Sequence, residues 1–151
     1  MAHAALVLLD DRLLIEELLV GLDVGRRRPR LCTTSYWYYR ACRAAVAGAS
    51  GQLSGPFERL PAPQQEQAIL SLLELRDDID LPDPRSLVPV MARVAGRHTQ
   101  LNLLNTEATA AAQLLEAEVW LSPAASKGVL PAVLESEGIR WTTINTSDAP
   151  T

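Results

Sequence analysis

The feature that most constrains the fold is a short apolar run near the amino terminus, followed directly by a helical pattern. Residues 4–9 are apolar, and residues 10–12 are all charged. A run of this length that ends in charges is typical of a buried strand in a parallel sheet. Leucines then recur at helical spacing, at Leu14, Leu18 and Leu22. The opening therefore predicts a strand followed by a helix that packs on the sheet.

The rest of the chain continues this alternation. A β-prone stretch at residues 31–34 precedes a helix that Thr34 or Ser35 is expected to cap. Three more helical stretches follow, and residues 118–121 and 139–144 are interpreted as strands around a further helix. The predicted order is β-α-β-α-α-α-α-β-α-β. This order belongs to the α/β class and predicts a three-layer α/β/α sandwich around a parallel sheet of four or five strands.

Length and composition limit the organisation and the compartment. The chain has 151 residues, of which 48% are hydrophobic and 21% charged, so we expect one domain over residues 1–145 and a frayed tail at 146–151. The first apolar run is too short for a signal peptide or a membrane span. Cys32 and Cys42 are expected in the core, since two cysteines make no disulfide scaffold. We therefore predict a cytoplasmic protein with no membrane association.

The predicted topology also brings distant polar residues to one edge of the sheet. Ligands of parallel α/β sheets bind at the carboxyl ends of the strands, where the helices that follow them begin. Glu107 is expected in the first turn of a helix that Asn105 or Thr106 caps. The residues predicted to meet at this edge are Asp10, Asp11, Tyr39, Glu107 and Ser122.

Two segments resemble the PIN-domain nucleases. LVLLDDRLLIEELL, residues 6–19, is similar to the strand–Asp–helix opening of that family. EATAAAQLLEAEVWLSPAASKGVLPAVLESEGIRW, residues 107–141, is similar to the helix, strand, turn, helix and strand of the family's second half. WYYRACRAA and RDDIDLPDPRSL in the middle resemble a PIN-like branch found in actinobacteria. The resemblance implies a PIN-like fold and a divergent member with an incomplete acidic set.

The resemblance also implies a metal site. PIN nucleases hold Mg²⁺ or Mn²⁺ with several carboxylates, and the metal activates water at a phosphodiester. By this resemblance Asp10 and Glu107 are the catalytic residues and bind the metal, with Asp11 as a third ligand. The match is incomplete, because Tyr39 or Tyr38 stands where a glutamate is usual and Ala124 stands where an aspartate is usual.

Two functions therefore stay open. The first is a metal-dependent ribonuclease, the toxin of a toxin–antitoxin pair, with an antitoxin protein as partner. The alternative is a catalytically degenerate PIN-like module that binds RNA or a protein. The resemblance also implies a homodimer. Because the net charge is −4, RNA binding requires a local basic patch. The predicted substrate-binding residues are Arg12, Tyr39, Arg40, Arg43 and Ser122.

Each of these assignments has a plainer structural alternative. Asp10 is also a suitable cap for the first helix. Glu107 is favourable near a helix start through the helix dipole alone. The helical stripe of Tyr36, Tyr39, Arg40 and Arg43 can stack on bases and contact phosphate, but it is equally suited to a core or an interface. The arginine-rich loop at residues 26–30 can contact phosphates or simply be solvated.

Overall fold

The computed structural model describes residues 5–24, 28–49 and 61–145, which form a five-stranded sheet with helices on both faces. All neighbouring strands are parallel, and the strand order is β3-β2-β1-β4-β5. The strands are β1 (Leu6–Leu9), β2 (Arg30–Cys32), β3 (Ile79–Asp80), β4 (Glu118–Leu121) and β5 (Trp141–Thr143). The helices are α1 (Asp11–Leu19), α2 (Ser35–Ala49), α3 (Ala62–Leu73), α4 (Pro84–Arg97), α5 (Leu103–Leu115), α6 (Pro123–Ser126) and α7 (Leu130–Ser136). The predicted three-layer α/β/α class is confirmed.

The central strand β1 contributes to two separate cores. Side chains alternate between the faces of a strand, so Val7 and Leu9 pack with α1, α2 and α3. Leu8 points to the opposite face and packs with α4, α5 and α7. All three side chains are buried. A central strand covered on both faces has no polar positions, which explains the apolar run at the start of the chain.

Three elements differ from the prediction. Strand β3 was not predicted, because it has only two residues and so presents no periodic pattern. The single helix predicted between the last two strands is divided into α6 and α7, with residues 127–129 between them. The last strand, β5, is also shorter than the predicted 139–144. These differences lie at the edges of the sheet and leave its centre as predicted.

The start of α5 corrects a predicted cap. Asn102 caps this helix, since its side-chain oxygen accepts a hydrogen bond of 2.8 Å from Asn105 N. The predicted caps, Asn105 and Thr106, are therefore wrong, and Glu107 lies in the second turn of α5. The cap predicted for α2 is confirmed, because Thr34 Oγ1 accepts a hydrogen bond of 3.0 Å from Trp37 N.

Two further observations concern membrane-spanning helices and the cysteines. In the ranges that the structure describes, none of the helices has both the length and the apolar character to cross a membrane. Cys32 is a free, buried thiol, as predicted for a core position, whereas Cys42 is only partly buried.

Glu137 joins three helices on one face of the sheet. Its Oε1 accepts a hydrogen bond of 2.9 Å from Arg97 Nε and lies 2.7 Å from His98 Nε2, both at the end of α4. Its Oε2 accepts a hydrogen bond of 2.7 Å from Gln113 Nε2 on α5. Hydrogen bonding to Arg97, with a further contribution from His98 and Gln113, lowers the pKa of Glu137 below its ordinary value of 4.5.

This network predicts a pH-dependent contribution to stability. A carboxyl group with a lowered pKa in the folded state stabilises the protein above its unfolded pKa, and this stabilisation is lost as pH falls through the folded value. Glu137→Gln should therefore lower the free energy of unfolding by about 1–2 kcal/mol at pH 7. The deficit should shrink below pH 4.5. Urea unfolding from pH 3 to 7 measures it, and exposed Glu66→Gln is the matched control. A deficit that does not change with pH would contradict the prediction.

Candidate functional site

Asp10 lies at the carboxyl end of β1 and is fully buried. It is the N-cap of α1, because its Oδ1 accepts a hydrogen bond of 2.9 Å from Leu13 N. Its Oδ2 accepts two more, of 2.8 Å from Ser122 N and 2.7 Å from Ser122 Oγ. Asp10 therefore connects the ends of the neighbouring strands β1 and β4 at the predicted edge of the sheet.

These contacts decide the chemistry of the Asp10 carboxyl group. Burial raises the pKa of Asp10, while the hydrogen bonds from Leu13 and Ser122 oppose that shift. Both oxygens already accept protein hydrogen bonds at ideal lengths. The arrangement suits a structural carboxyl group that fixes the start of α1 and the turn after β4.

Asp11, the first residue of α1, pairs with an arginine from another helix. Its Oδ2 lies 3.1 Å from Arg40 Nε on α2, and its Oδ1 accepts a hydrogen bond of 3.0 Å from Arg12 N. The Asp11 side chain is 18% exposed and that of Arg40 is 48% exposed, so solvent reaches the pair. This ion pair links the starts of α1 and α2 at the carboxyl edge of the sheet.

Glu107, on α5, contacts the beginning of α2. Its Oε1 accepts a hydrogen bond of 2.9 Å from Tyr36 N, one of the first-turn amides that lack a partner within the helix. The positive end of the α2 dipole also favours this negative charge. Glu107 therefore supplements the Thr34 cap and links α5 to α2.

A cleft of about 250 Å³ opens at this edge. Asp11, Arg12 and Arg40 contribute the charged groups in its wall, and Asn105 and Ser122 contribute neutral polar groups. Two arginines face one carboxylate, and that carboxylate is already paired. The wall therefore carries net positive charge, which favours an anionic ligand.

Of the eight predicted site residues, four line this cleft and four, including the buried Asp10, do not. Asp11, Arg12, Arg40 and Ser122 line it. Tyr39 is 58% exposed, so it is not a core residue, and Arg43 is also exposed. Glu107 bonds to the start of α2. Of the arginine-rich loop, residues 26 and 27 lie outside the described residues.

Two contributors to the cleft were missed from the sequence. Asn105 was assigned as a cap, and Trp37 was assigned to the core, where its side chain is indeed 2% exposed, yet both line the cleft. Tyr36 forms an edge-to-face pair with Tyr39, with ring centroids 6.1 Å apart. The i, i+3 spacing of the two tyrosines on a helix was the available signal for that pair.

The carboxylates do not form a metal centre in this arrangement. Within the described ranges, no cluster of three or more His, Cys, Asp or Glu side chains has the geometry to hold a metal ion. Asp10 bonds to Ser122, Asp11 to Arg40 and Glu107 to Tyr36. A hard dication needs several converging oxygen ligands, so this donor set does not fit Mg²⁺ or Mn²⁺. The metal site stays a prediction.

A comparison with solved structures agrees with this fold, whereas two comparisons of the sequence found nothing. No protein-family model matches the chain, and a search of curated proteins found no match. The structure of VapBC-1 from nontypeable Haemophilus influenzae contains a similar chain, with a TM-score of 0.53 and 14% sequence identity. The likeness covers 91% of this chain and 97% of that chain. At this identity the likeness establishes the fold alone, and the chain has the PIN-like α/β/α fold.

Proposed function

We propose that this chain is a PIN-like module that binds RNA at the cleft through arginine side chains, without metal-dependent cleavage. The observation that carries the proposal is the charge of the cleft wall. Arg12 and Arg40 line the cleft, and its one carboxylate, Asp11, is paired with Arg40. A site that carries net positive charge suits a phosphodiester better than it suits a metal ion.

The chemistry around the cleft fits a single-stranded RNA. Guanidinium groups donate to phosphate oxygens, and Asn105 and Ser122 supply neutral polar groups in the same wall. The exposed ring of Tyr39 directly precedes Arg40 on α2, and its edge-to-face pairing with Tyr36 orients it. Aromatic rings beside arginines are the usual platform for unpaired bases. This pattern favours RNA over a protein partner.

An RNA-binding assay with an arginine variant tests the proposal. Arg40→Gln should weaken binding of a fluorescent single-stranded RNA about five- to ten-fold at low salt, because it removes a charge-assisted phosphate contact. Arg93→Gln, which removes the same charge from an exposed position on α4, should change the Kd less than two-fold. Fluorescence anisotropy measures both.

Three results would contradict the proposal. The first is an equal loss of affinity in the two arginine variants, and the second is a wild-type protein that does not bind RNA. The third is a protein partner whose binding requires Arg40, together with RNA binding that does not require Arg40. Cleavage of the RNA with Mn²⁺, abolished by a chelator, would favour the second candidate function.

The second candidate is a metal-dependent ribonuclease of the PIN type, the toxin of a toxin–antitoxin pair. It is favoured by the fold likeness to a chain of VapBC-1 and by the position of Asp10 at the end of β1. It requires Asp10, Asp11 and Glu107 to leave their present partners and converge on Mg²⁺ or Mn²⁺. Titration with Mn²⁺ tests it, since binding must be lost in Asp11→Asn. An antitoxin partner and a homodimer also stay predictions, which co-purification and light scattering test.

A further inference from the structure

We propose that Asp11 is a built-in competitor for the phosphate that Arg40 binds, and that it sets the affinity and the salt dependence of the cleft. This inference rests on the proposed function. Arg40 is the residue on which RNA affinity is expected to depend, and its Nε is already 3.1 Å from Asp11 Oδ2. A phosphate that enters the cleft therefore meets an arginine that is already neutralised.

The geometry keeps Asp11 in this position. Its second oxygen, Oδ1, accepts a hydrogen bond of 3.0 Å from Arg12 N in the first turn of α1. A carboxylate is also favoured at the amino end of a helix by the helix dipole. The Asp11 carboxylate is thus held from two sides, and it competes as an intramolecular anion at high effective concentration.

Competition of this kind selects the ligand class. Arg40 has N–H groups besides Nε, so a phosphate can either displace Asp11 or bind beside it against its negative charge. A single phosphate gains one contact with Arg40 but is repelled by the Asp11 carboxylate. A strand with several phosphates also contacts other cations, such as Arg12 in the same wall. The cleft should therefore favour an RNA strand over a mononucleotide or inorganic phosphate.

Removal of the competitor should increase affinity. Asp11→Asn should bind a single-stranded RNA about two- to five-fold more tightly at low salt, in line with the strength of solvent-exposed ion pairs. Because one more cation becomes available to phosphate, the slope of log Kd against log salt should steepen by up to about 0.7. A metal ligand at this position predicts the opposite, a loss of function in the same variant.

A matched control separates the local effect from net charge. Asp77→Asn makes the same change of charge in an exposed turn before β3. The RNA affinity of this variant should change less than about 1.5-fold, because solvent and salt screen a distant surface charge. In an Arg40→Gln background, the gain from Asp11→Asn should be smaller than in the wild-type protein, since the contested cation is absent and only the repulsion between Asp11 and phosphate is removed. Asp11→Ser provides a second test of the same position, and melting temperatures verify that all variants fold.

The outcomes distinguish this inference from the proposed function. Arg40-dependent RNA binding with unchanged or weaker binding by both Asp11 variants would overturn the inference and leave the function standing. A gain of the same size in the Arg40→Gln background, or one that equals the gain in Asp77→Asn, would also overturn it. Wild-type protein without Arg40-dependent RNA binding would overturn the proposed function and the inference with it.

Discussion

Replacement of Asp10 by alanine is expected to lower the free energy of unfolding by about 3 kcal/mol. The substitution removes the N-cap of α1, a loss of about 1 kcal/mol by itself. It also removes the acceptor for Ser122 N and Ser122 Oγ, which are buried with Asp10. A buried donor without a partner costs about 1–3 kcal/mol more, so the two contributions together give the expected loss.

A second helix cap in the chain provides the control. Asp83 caps α4 and accepts a hydrogen bond of 2.9 Å from Arg85 N, but it lies at the surface. Asp83→Ala should therefore cost only about 1 kcal/mol. Urea unfolding of both variants at pH 7 measures the difference. Equal losses would mean that the contacts between Asp10 and Ser122 contribute little to stability.

This prediction matters for the choice between the two candidate functions. Loss of RNA cleavage in an Asp10 variant is the expected result for a metal ligand and also for a residue that holds the edge of the sheet together. Stability separates the two, because a structural role for Asp10 predicts a lower free energy of unfolding in a Ser122 variant as well, and Ser122 is not a carboxylate. Ser122→Ala keeps all the predicted metal ligands but removes one hydrogen bond of 2.7 Å to Asp10.

The centre of the fold was predictable because its pattern is local and strong. The apolar run that becomes β1 is buried on both faces, and the helix after it buries Leu13, Leu14 and Ile15 while Leu18 is partly buried. Strand β3 was not predictable, because two residues, Ile79 and Asp80, are too few to show the alternation of apolar and polar side chains that marks a strand. These residues pair only with β2. The cap of α5 was missed for a different reason. Three polar residues precede or enter that helix, and only Asn102 accepts a hydrogen bond from the N3 amide, Asn105 N.

The site was predictable as a location but not as a set of contacts. The rule that helices start at the carboxyl edge of a parallel sheet brought Asp11 and Ser122 to one cleft, whereas Asp10, Tyr39 and Glu107, which the same rule placed there, do not line it. Which side chains pair with one another depends on the angles at which the helices cross and on the side-chain conformations. The spacing of residues in the sequence specifies neither. The bond between Asp10 and Ser122 joins residues 112 positions apart in the chain. The pairing of Asp11 with Arg40 likewise arises only where α1 and α2 pack together.

The alanine-rich face of α5 should be the least tolerant part of the core to added volume. Ala108, Ala110, Ala111 and Ala112 are all buried in the core that α5 shares with α4 and the sheet. Small side chains allow close approach of the helix backbone, and the surrounding atoms are packed at high density. Ala111→Leu should therefore lower the free energy of unfolding by about 3 kcal/mol through overpacking.

The same substitution on a solvated surface is the control for helix propensity. Ala95→Leu on the exposed side of α4 should change stability by less than about 0.5 kcal/mol. Thermal and urea unfolding measure both variants, and similar small changes would contradict close packing of α5. Because Glu107 lies one turn before Ala111 and bonds to Tyr36 N, displacement of α5 should also loosen the start of α2. Arg40 is on that helix, so Ala111→Leu should weaken RNA binding even though residue 111 does not line the cleft.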